Sequence, residues 1–410
     1  MKPEEKAPAE AVRAFADLKY GLFIHYGIYS LHGRNEWVLA KERMDPAAYR
    51  AGADQLRPQP DCARAWIRLA AANRMRYACL TTRHHDGFCL WDSQADGFNL
   101  ARSACGRDLV REFVEACRAE GVVPCLYYSV GNWSDPGYRA GPEADPDGWK
   151  RYVDVCHRQL RELTTRYGKI GYLFYDGCPP PKLWDAAGAN AMIRKLQPDI
   201  LISNRCSLEE DVPSSEQREF APPGATDFWE ACYTIPRSTW GWNRFEADIK
   251  PPQEIARLLM TVVHRGGNLL LNIGPHASGR VHDAEANCIE RVGRWLDSNG
   301  EAIFGASGKP FDYEDYEIST GREGRAYFGL FGNDYGPEKV IAGVGNRIKA
   351  AHVLGAEQNM AFRQVDDCVY LEGLPYKVAG SMPRVICLEF DGAPRALPNP
   401  YCNHARFRTN

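Results

Sequence analysis

Residues 170–177, Ile-Gly-Tyr-Leu-Phe-Tyr-Asp-Gly, form a short apolar run that ends in a carboxylate followed at once by glycine. Uncharged, mostly β-favouring residues between glycine-marked turns predict a buried strand. Such a strand can place an ionised carboxylate at low cost only at its C-terminal end. Asp176 is therefore the first candidate for chemistry, although a carboxylate here could also merely cap the following loop.

Other apolar runs on both sides of this stretch also end in polar groups. Further strands are predicted at residues 21–27, 77–82, 122–130, 200–206, 228–235 and 268–275, and helices at 61–73, 108–120, 148–167, 187–197, 252–265 and 283–298. Strands that alternate with helices at this spacing predict βα units and a parallel sheet. Seven or so such units favour a closed (β/α)8-like TIM barrel, an α/β fold whose active site lies at the C-terminal ends of the strands.

The pattern changes near Gly305. Helical periodicity stops there, and short alternating runs follow that are separated by Gly, Asp and Pro. This punctuation is typical of a small antiparallel β-sandwich. We therefore predict a catalytic barrel over residues 1–305 and a C-terminal β-sandwich domain over residues 306–410, in which no catalytic cluster is apparent.

Composition and charge exclude several classes of ligand. The 410 residues include 50 basic and 53 acidic side chains, which gives a formal net charge of -3, and no long run of either sign occurs. Such a chain lacks the basic surface that binds nucleic acid or acidic membranes. The sequence therefore predicts no nucleic-acid partner, no membrane and a ligand of little charge.

The cysteines and the N-terminus bear on location. The first ten residues are charged and contain no apolar segment, so neither a signal peptide nor a transmembrane helix is expected, although a leader could have been removed. Fourteen cysteines are scattered through predicted helices and strands. We interpret most of them as buried thiols in a reducing cytoplasm rather than as a disulfide framework. No CxxC pair or HxxxH helix indicates zinc.

Five sequence blocks share their order and spacing with a known enzyme family. They are KYGLFIHYG at residues 19–27, NEW at 35–37, LTTRHHDGFCLWDS at 80–93, LFYDG at 173–177 and GGNLLLNIGP at 266–275. Together they resemble the signature blocks of the α-L-fucosidases, family 29 of the glycoside hydrolases, and the C-terminal region is similar to that family's accessory β-sandwich. The resemblance implies a retaining exo-glycosidase that removes terminal α-L-fucose from a fucosylated oligosaccharide through a covalent fucosyl-aspartate intermediate.

The resemblance also implies roles for two carboxylates. Asp176 matches the family's nucleophile, and an oxocarbenium-like transition state needs such a fixed anion beneath it. The acid/base lies on a variable loop, where Ser-Ser-Glu-Gln at 214–217 is the nearest match to one branch, which favours Glu216 and hints at α-1,3/1,4-linked fucose. Glu219, Glu209 and Glu210 are alternatives, and any of the four could be a solvated loop residue.

Further residues match family positions that line the sugar pocket. They are His25, Glu36, Trp37, His84, His85, Tyr128 and Arg205. Their chemistry suits a neutral sugar, since polar groups bind hydroxyls and an aromatic face covers the apolar side of a 6-deoxy ring. For the adjacent histidines, metal ligation or burial of one ring in the core are alternatives.

The sequence thus favours a fucosidase that needs no metal or organic cofactor and that could be a homo-oligomer. Two other classes stay open at this point. One is a fucose-binding protein without catalysis, and the other is a glycosidase for a related sugar such as an α-L-galactoside.

Overall fold

The computed structural model describes residues 6–223, 225, 228–308, 310–311, 318–331, 338–374 and 380–397. The chain divides into two compact units, Met1–Lys250 with Asn268–Glu290, and Pro251–Gly267 with Arg291–Asn410. By its contacts, the predicted helix 252–265 therefore groups with the C-terminal unit rather than with the barrel unit. The domain boundary at residue 305 stays a prediction of the sequence.

Eight parallel strands form the sheet of the first unit. They are β1 Tyr20–Ile24, β2 Tyr77–Arg83, β3 Val123–Ser129, β4 Tyr172–Asp176, β5 Leu201–Ile202, β6 Ser214–Glu216, β7 Trp229–Thr234 and β8 Gly267–Ile273. Their spatial order is β5-β4-β3-β2-β1-β8-β7-β6. A parallel bridge between Ser203 and Val212 joins the two ends of this order. The prediction of a TIM-like barrel is confirmed, with β5 shorter than expected and β6 not foreseen.

The barrel interior is filled by alternate residues of its strands. In β3, Cys125 and Tyr127 belong to the interior cluster, and Tyr172 and Phe174 take the same positions in β4. Because successive side chains on a strand point to opposite faces, the residues between them face away from the interior. Phe15 from the N-terminal helix packs its ring 4.9 Å from that of Tyr77 and 5.3 Å from that of Tyr172, at the N-terminal ends of the strands.

Ten α-helices occur among the described residues, of which six lie close to the predicted limits and the four shortest were not predicted. The ten helices are α1 Ala9–Ala16, α2 Val38–Lys41, α3 Pro46–Ala51, α4 Cys62–Ala72, α5 Leu109–Ala119, α6 Pro136–Ala144, α7 Pro146–Thr165, α8 Ala186–Leu196, α9 Pro252–His264 and α10 Asp283–Asn299. The side chain of Asp108 caps α5 by accepting a hydrogen bond from the Arg111 amide. Within the described residues, no helix is long and apolar enough to cross a bilayer.

The second unit contains two antiparallel sheets. Its strands are β9 Ser307–Gly308, β10 Ser319–Arg322, β11 Arg325–Leu330, β12 Glu338–Ile341, β13 Ile348–Val353, β14 Phe362–Val365, β15 Cys368–Glu372 and β16 Arg384–Phe390. Five of them pair in the order β13-β16-β11-β10-β9 and three in the order β12-β15-β14. Both sheets contribute to one apolar cluster, which includes Phe328 and Ile386 from the first and Leu371 from the second. The predicted C-terminal β-sandwich is therefore confirmed.

Candidate active site

Asp176 lies at the C-terminal end of β4 and accepts hydrogen bonds from two side chains. Arg205 Nη2 is 2.7 Å from Oδ1, and the Tyr127 hydroxyl is 2.9 Å from Oδ2. His85 Nε2 lies 3.6 Å from the same Oδ2, and the Asp176 side chain remains 23% exposed. The carboxylate is thus fixed by its neighbours while one part of it stays accessible.

These neighbours keep Asp176 ionised. Burial alone would raise its pKa, but the positive charge of Arg205 and the hydrogen bonds from Arg205 and Tyr127 outweigh burial and lower the pKa to about 2. At neutral pH the group is therefore a carboxylate, the form that can attack carbon or stabilise a positive transition state.

Arg205 also contacts a second carboxylate. It follows β5, and its Nη2 donates to Glu216 Oε2 at 3.0 Å as well as to Asp176 Oδ1 at 2.7 Å. Since both bonds end on one nitrogen, the two oxygens lie no further apart than the sum of these distances. Glu216 ends β6 and its side chain is 43% exposed. Two acids with different environments therefore face each other across one arginine.

The other glutamates considered from the sequence are placed differently. Glu209 is 91% exposed and pairs with Lys6 at 3.4 Å. Glu210 is buried, where it accepts a hydrogen bond from Asn190 at 2.7 Å and pairs with Arg194 at 3.2 Å. Glu219 is half-buried in the loop after β6. Of the four candidates, Glu216 is the one that shares a hydrogen-bonded arginine with Asp176.

Three histidine rings lie side by side at the ends of β1 and β2. The ring centroids of His84 and His85 are 4.2 Å apart, and those of His25 and His84 are 5.7 Å apart. His85 Nδ1 lies 2.7 Å from Ser129 Oγ, and His25 Nδ1 lies 2.6 Å from Asn272 Oδ1.

The bonds around Ser129 indicate which nitrogen of His85 carries the proton. Ser129 donates its hydroxyl to the carbonyl of Gly131, so His85 Nδ1 donates to Ser129 and His85 Nε2 is left as an acceptor. Burial lowers the pKa of His25 to about 3 and also lowers the pKa of His84 and of His85. The rings are therefore neutral at pH 7 and suited to bonding with hydroxyl groups.

Glu36 and Trp37 follow β1 at the same end of the barrel. Glu36 Oε2 accepts hydrogen bonds from the backbone amides of Gly241 at 2.7 Å and Trp240 at 3.2 Å, and burial raises its pKa. Trp37 is 41% exposed. Its ring centroid lies 5.5 Å from that of His85 and 4.9 Å from that of Trp133.

Two further tryptophans, Trp133 and Trp240, lie beside these rings. The ring centroid of Trp133 lies 4.9 Å from that of Trp37 and 5.0 Å from that of His85, and the ring of Trp240 lies 5.1 Å from that of His25. Trp133 could not be recognised from the sequence, because it lies in a loop outside the five blocks. An aromatic wall of this kind suits the apolar face of a sugar.

The prediction that Tyr128 lines the sugar pocket needs correction. The structure does not bring it to Asp176, because its hydroxyl donates to Gln159 of α7 at 2.8 Å and its ring lies against the Arg83 guanidinium, 4.5 Å away. Its neighbour Tyr127 points into the barrel and contacts Asp176. The alternation of side chains along β3 explains the error, since the choice between adjacent tyrosines depends on the register of the strand.

One group of possible metal ligands occurs among the described residues, and it lies in the second unit. Glu301, His352 and Cys387 each offer a ligand atom within 4.8 Å of the others. However, Arg322 and Arg325 already bond to Glu301 Oε2, and burial raises the pKa of Cys387 to about 12. Two arginines and a protonated thiol disfavour a divalent cation at this position.

Comparisons with known proteins identify the family. The family model for α-L-fucosidases matches residues 2–301. The rat tissue α-L-fucosidase is 28% identical over 75% of this chain and 72% of its own length. α-L-Fucosidase isoenzyme 1 from Paenibacillus thiaminolyticus superposes with a TM-score of 0.84 at 30% identity, over 93% of this chain and 99% of that one.

The chain belongs to the α-L-fucosidase family. Membership makes it a glycoside hydrolase, and the resemblance drawn from the five sequence blocks is confirmed. A further relative, an α-L-fucosidase from Bacteroides thetaiotaomicron, has a TM-score of 0.84 at 27% identity, over 94% of this chain and 97% of that one. That structure is described as a covalent intermediate trapped with 2-fluoro-fucosyl fluoride in a glutamate-to-glutamine mutant.

Proposed function

We propose that this protein is a retaining exo-α-L-fucosidase that cleaves terminal α-L-fucose from oligosaccharides or glycoconjugates. The observation that carries the proposal is the pair of carboxylates, Asp176 and Glu216, on one nitrogen of Arg205. The distance between the two oxygens bonded to this nitrogen cannot exceed the sum of the two hydrogen-bond lengths. That limit is close to the roughly 5 to 5.5 Å between the carboxyl groups of retaining glycosidases and below the roughly 6.5 to 9.5 Å of inverting ones. The trapped covalent intermediate of the Bacteroides relative adds support.

In the first chemical step, Asp176 Oδ attacks the anomeric carbon while the bond to the aglycone oxygen breaks. Glu216, in its protonated form, gives its proton to the departing oxygen, and a fucosyl ester of Asp176 results. In the second step the ionised Glu216 takes a proton from water, which attacks the same carbon and releases Asp176. Two inversions retain the configuration at that carbon.

The neighbouring groups support binding of a neutral sugar in this scheme. The Nε2 atom of His85 is an acceptor close to Asp176, suited to a sugar hydroxyl adjacent to the reacting carbon. Glu36 and the neutral rings of His25 and His84 offer further hydroxyl partners. Trp37, Trp133 and Trp240 provide apolar surface for the methyl group of a 6-deoxy sugar.

Linkage and location are the finer parts of the proposal. The Ser-Ser-Glu-Gln segment at 214–217 favours α-1,3/1,4-linked fucose, and a panel of fucosylated oligosaccharides that differ only in linkage tests this preference.

We propose a reducing, cytoplasmic location because all 13 cysteines among the described residues are thiols rather than disulfides. Homo-oligomer formation stays a prediction.

Substitution Asp176→Gly tests the nucleophile. We expect at least a 10³-fold loss of kcat on 4-nitrophenyl α-L-fucoside with little change in thermal stability. Added azide should restore turnover and give the β-fucosyl azide, since a single displacement inverts the configuration. Near-normal activity of the variant would remove Asp176 from the mechanism, and preferred hydrolysis of the α-L-galactoside by the wild type would change the assigned substrate.

Substitution Glu216→Ala tests the acid/base. A 4-nitrophenyl leaving group needs little protonation, so kcat/KM on the aryl fucoside should fall at least tenfold less than on a natural oligosaccharide. Azide should here give the α-fucosyl azide, because it replaces water in the second step. The exposed Glu209→Ala is the control, and its ratio of kcat/KM on the aryl fucoside to kcat/KM on the oligosaccharide should equal that of the wild type. Equal losses of kcat/KM on both substrates in Glu216→Ala would show that Glu216 does not have this role.

A further inference from the structure

Helix α10 carries a buried carboxyl group that the proposed mechanism does not use. Glu285 is 2% exposed. Its Oε1 accepts a hydrogen bond from the Gly274 amide at 3.2 Å, directly after β8. Its Oε2 is buried and has no hydrogen-bond partner within the part of the chain that the structure describes. An unpaired buried carboxyl oxygen costs free energy unless something else bonds to it.

A second unpaired polar atom lies at the same place. Thr239 is 4% exposed, and its Oγ1 also has no partner among the described residues. Both residues line a cavity of about 30 Å³, which also touches Gly241 and Gly274. A water molecule needs about 10 to 15 Å³ and two or more polar partners, so the cavity can hold one.

The cavity adjoins the backbone that supports the sugar pocket. A Cβ atom on Gly274 would lie 2.7 Å from the carbonyl oxygen of Trp240 and 2.8 Å from the carbonyl carbon of Gly241, so the two segments are in close contact. The amides of Trp240 and Gly241 donate to Glu36. The carbonyl of Trp240 accepts from Asn272, which bonds to His25.

We propose that Glu285 and Thr239 hold a water molecule in this cavity, and that Glu285 thereby positions the 239–242 backbone from which Glu36 and His25 are aligned for sugar binding. Glu285 is a positioning residue in this account, because it acts through Gly274 and the 239–242 backbone without touching the sugar. Its effect on sugar binding rests on the proposed function, whereas its effect on the backbone does not.

The strength with which Glu285 holds the 239–242 backbone should depend on pH near neutrality. Burial raises the pKa of Glu285 to about 7, against the opposing effect of the hydrogen bond from the Gly274 amide. The charged or titratable side chains lining the cavity with it are Arg244, Glu246 and His282. A carboxylate accepts hydrogen bonds more strongly than a neutral carboxyl. We therefore expect the 239–242 backbone to be held more firmly above pH 7 than below it.

Hydrogen exchange of the wild-type protein and its variants tests the positioning without any sugar. In Glu285→Ala, amides in the 239–242 and 272–276 segments should exchange at least tenfold faster than in the wild type. Glu285→Gln retains an acceptor and should show the wild-type protection factor at pH 6, without the rise in protection factor that the wild type should show between pH 6 and pH 8. Thr239→Val should speed exchange, and Thr239→Ser should not.

A matched control lies on the same helix. Asp283 is 84% exposed and pairs only with Arg280 in the described contacts, so Asp283→Asn should leave exchange unchanged. Unchanged exchange in Glu285→Ala, or equal acceleration over the whole barrel, would overturn the proposal.

Binding of L-fucose, measured by calorimetry, then tests the consequence for the pocket. We expect about tenfold weaker binding in Glu285→Ala, and about the wild-type affinity in Asp283→Asn. A wild type that binds no fucose would contradict the proposed function, while the exchange result would still decide the role of Glu285. Normal binding together with faster exchange would overturn the link from backbone to pocket.

Discussion

Asp176 shows how single contacts decide the chemistry of a residue at the barrel mouth. Burial favours the neutral acid, whereas Arg205 and Tyr127 favour the carboxylate, and the latter prevail because a guanidinium lies 2.7 Å from one oxygen. Because an arginine stays positively charged up to high pH, its effect on Asp176 does not change around neutrality. Asp176 is thus a carboxylate at every pH well above 2.

Tyr127→Phe should weaken this arrangement. A hydrogen bond to a charged group contributes about 1.5 to 3 kcal/mol, so kcat/KM at pH 7 should fall about tenfold or more. The pKa of Asp176 should rise, which moves the acidic limb of the pH–activity profile to higher pH. Steady-state kinetics on an aryl fucoside from pH 3 to pH 8 measure both effects.

The adjacent Tyr128→Phe is the matched control for Tyr127→Phe. Its hydroxyl bonds to Gln159 in the helix layer, so stability should fall slightly while the pH profile keeps its shape. A shift of the acidic limb to higher pH in Tyr128→Phe, or no shift in Tyr127→Phe, would contradict the assignment.

The two tyrosines also mark a limit of prediction from sequence, because an apolar run predicts a strand but not which of two adjacent tyrosines faces the interior.

At the scale of elements, the turn after β2 positions His84 and His85. Gly87 has φ +82°, and a Cβ atom there would lie 2.1 Å from Asn132 Oδ1. That side chain is itself held, since its Oδ1 accepts from the Ser134 amide. The turn is therefore fixed from both sides, with the histidines immediately before it.

Gly87→Ala should displace this turn. We expect about 1 to 3 kcal/mol lower unfolding free energy from the left-handed backbone and the close contact. Because small displacements of pocket groups are costly, kcat/KM should fall at least tenfold. Urea unfolding and steady-state kinetics give the two values.

Gly121→Ala provides the comparison for Gly87→Ala. Gly121 ends α5 with φ +69° and has no atom within 4 Å of an added Cβ, so the strain is similar but the contact is absent. Stability should fall modestly and kcat/KM should stay within twofold of the wild type. Equal losses of activity in both variants would show that general destabilisation, and not the turn, is responsible.

Most strands and helices could be predicted because their periodicity is local. Two features that depend on distant contacts could not be predicted. Strand β6 has three residues, and its pairing with β7 and the bridge from Val212 to Ser203 define it. Helix α9 has the periodicity of a barrel helix, yet its contacts with β9 and β10 place it in the second unit. Glu216 was found only through resemblance, since nothing in a loop glutamate itself indicates its partner.

At the scale of the whole molecule, buried ionisable groups lower the stability of the fold both at high pH and at low pH. Burial raises the pKa of Asp86 to about 6 and of Glu230 to about 8, so these acids lower stability as pH rises above their unfolded values near 4. Burial lowers the pKa of His25 and His84, so these groups lower stability as pH falls below about 6.5. The first unit should therefore be most stable between about pH 4.5 and 6.5.

Glu230→Gln should flatten the alkaline side of this dependence. Glu230 is fully buried in the barrel and accepts a hydrogen bond from Tyr77 at 2.8 Å. From about pH 4.3 to about pH 8, the folded protein keeps a proton that the unfolded chain has released, so the wild type loses stability as pH rises. The amide has no such proton, and the Tm of the variant should fall less between pH 5 and pH 8. Calorimetric melting with the exposed Glu115→Gln as control measures this difference, and parallel losses in all three proteins would show that Glu230 ionises normally.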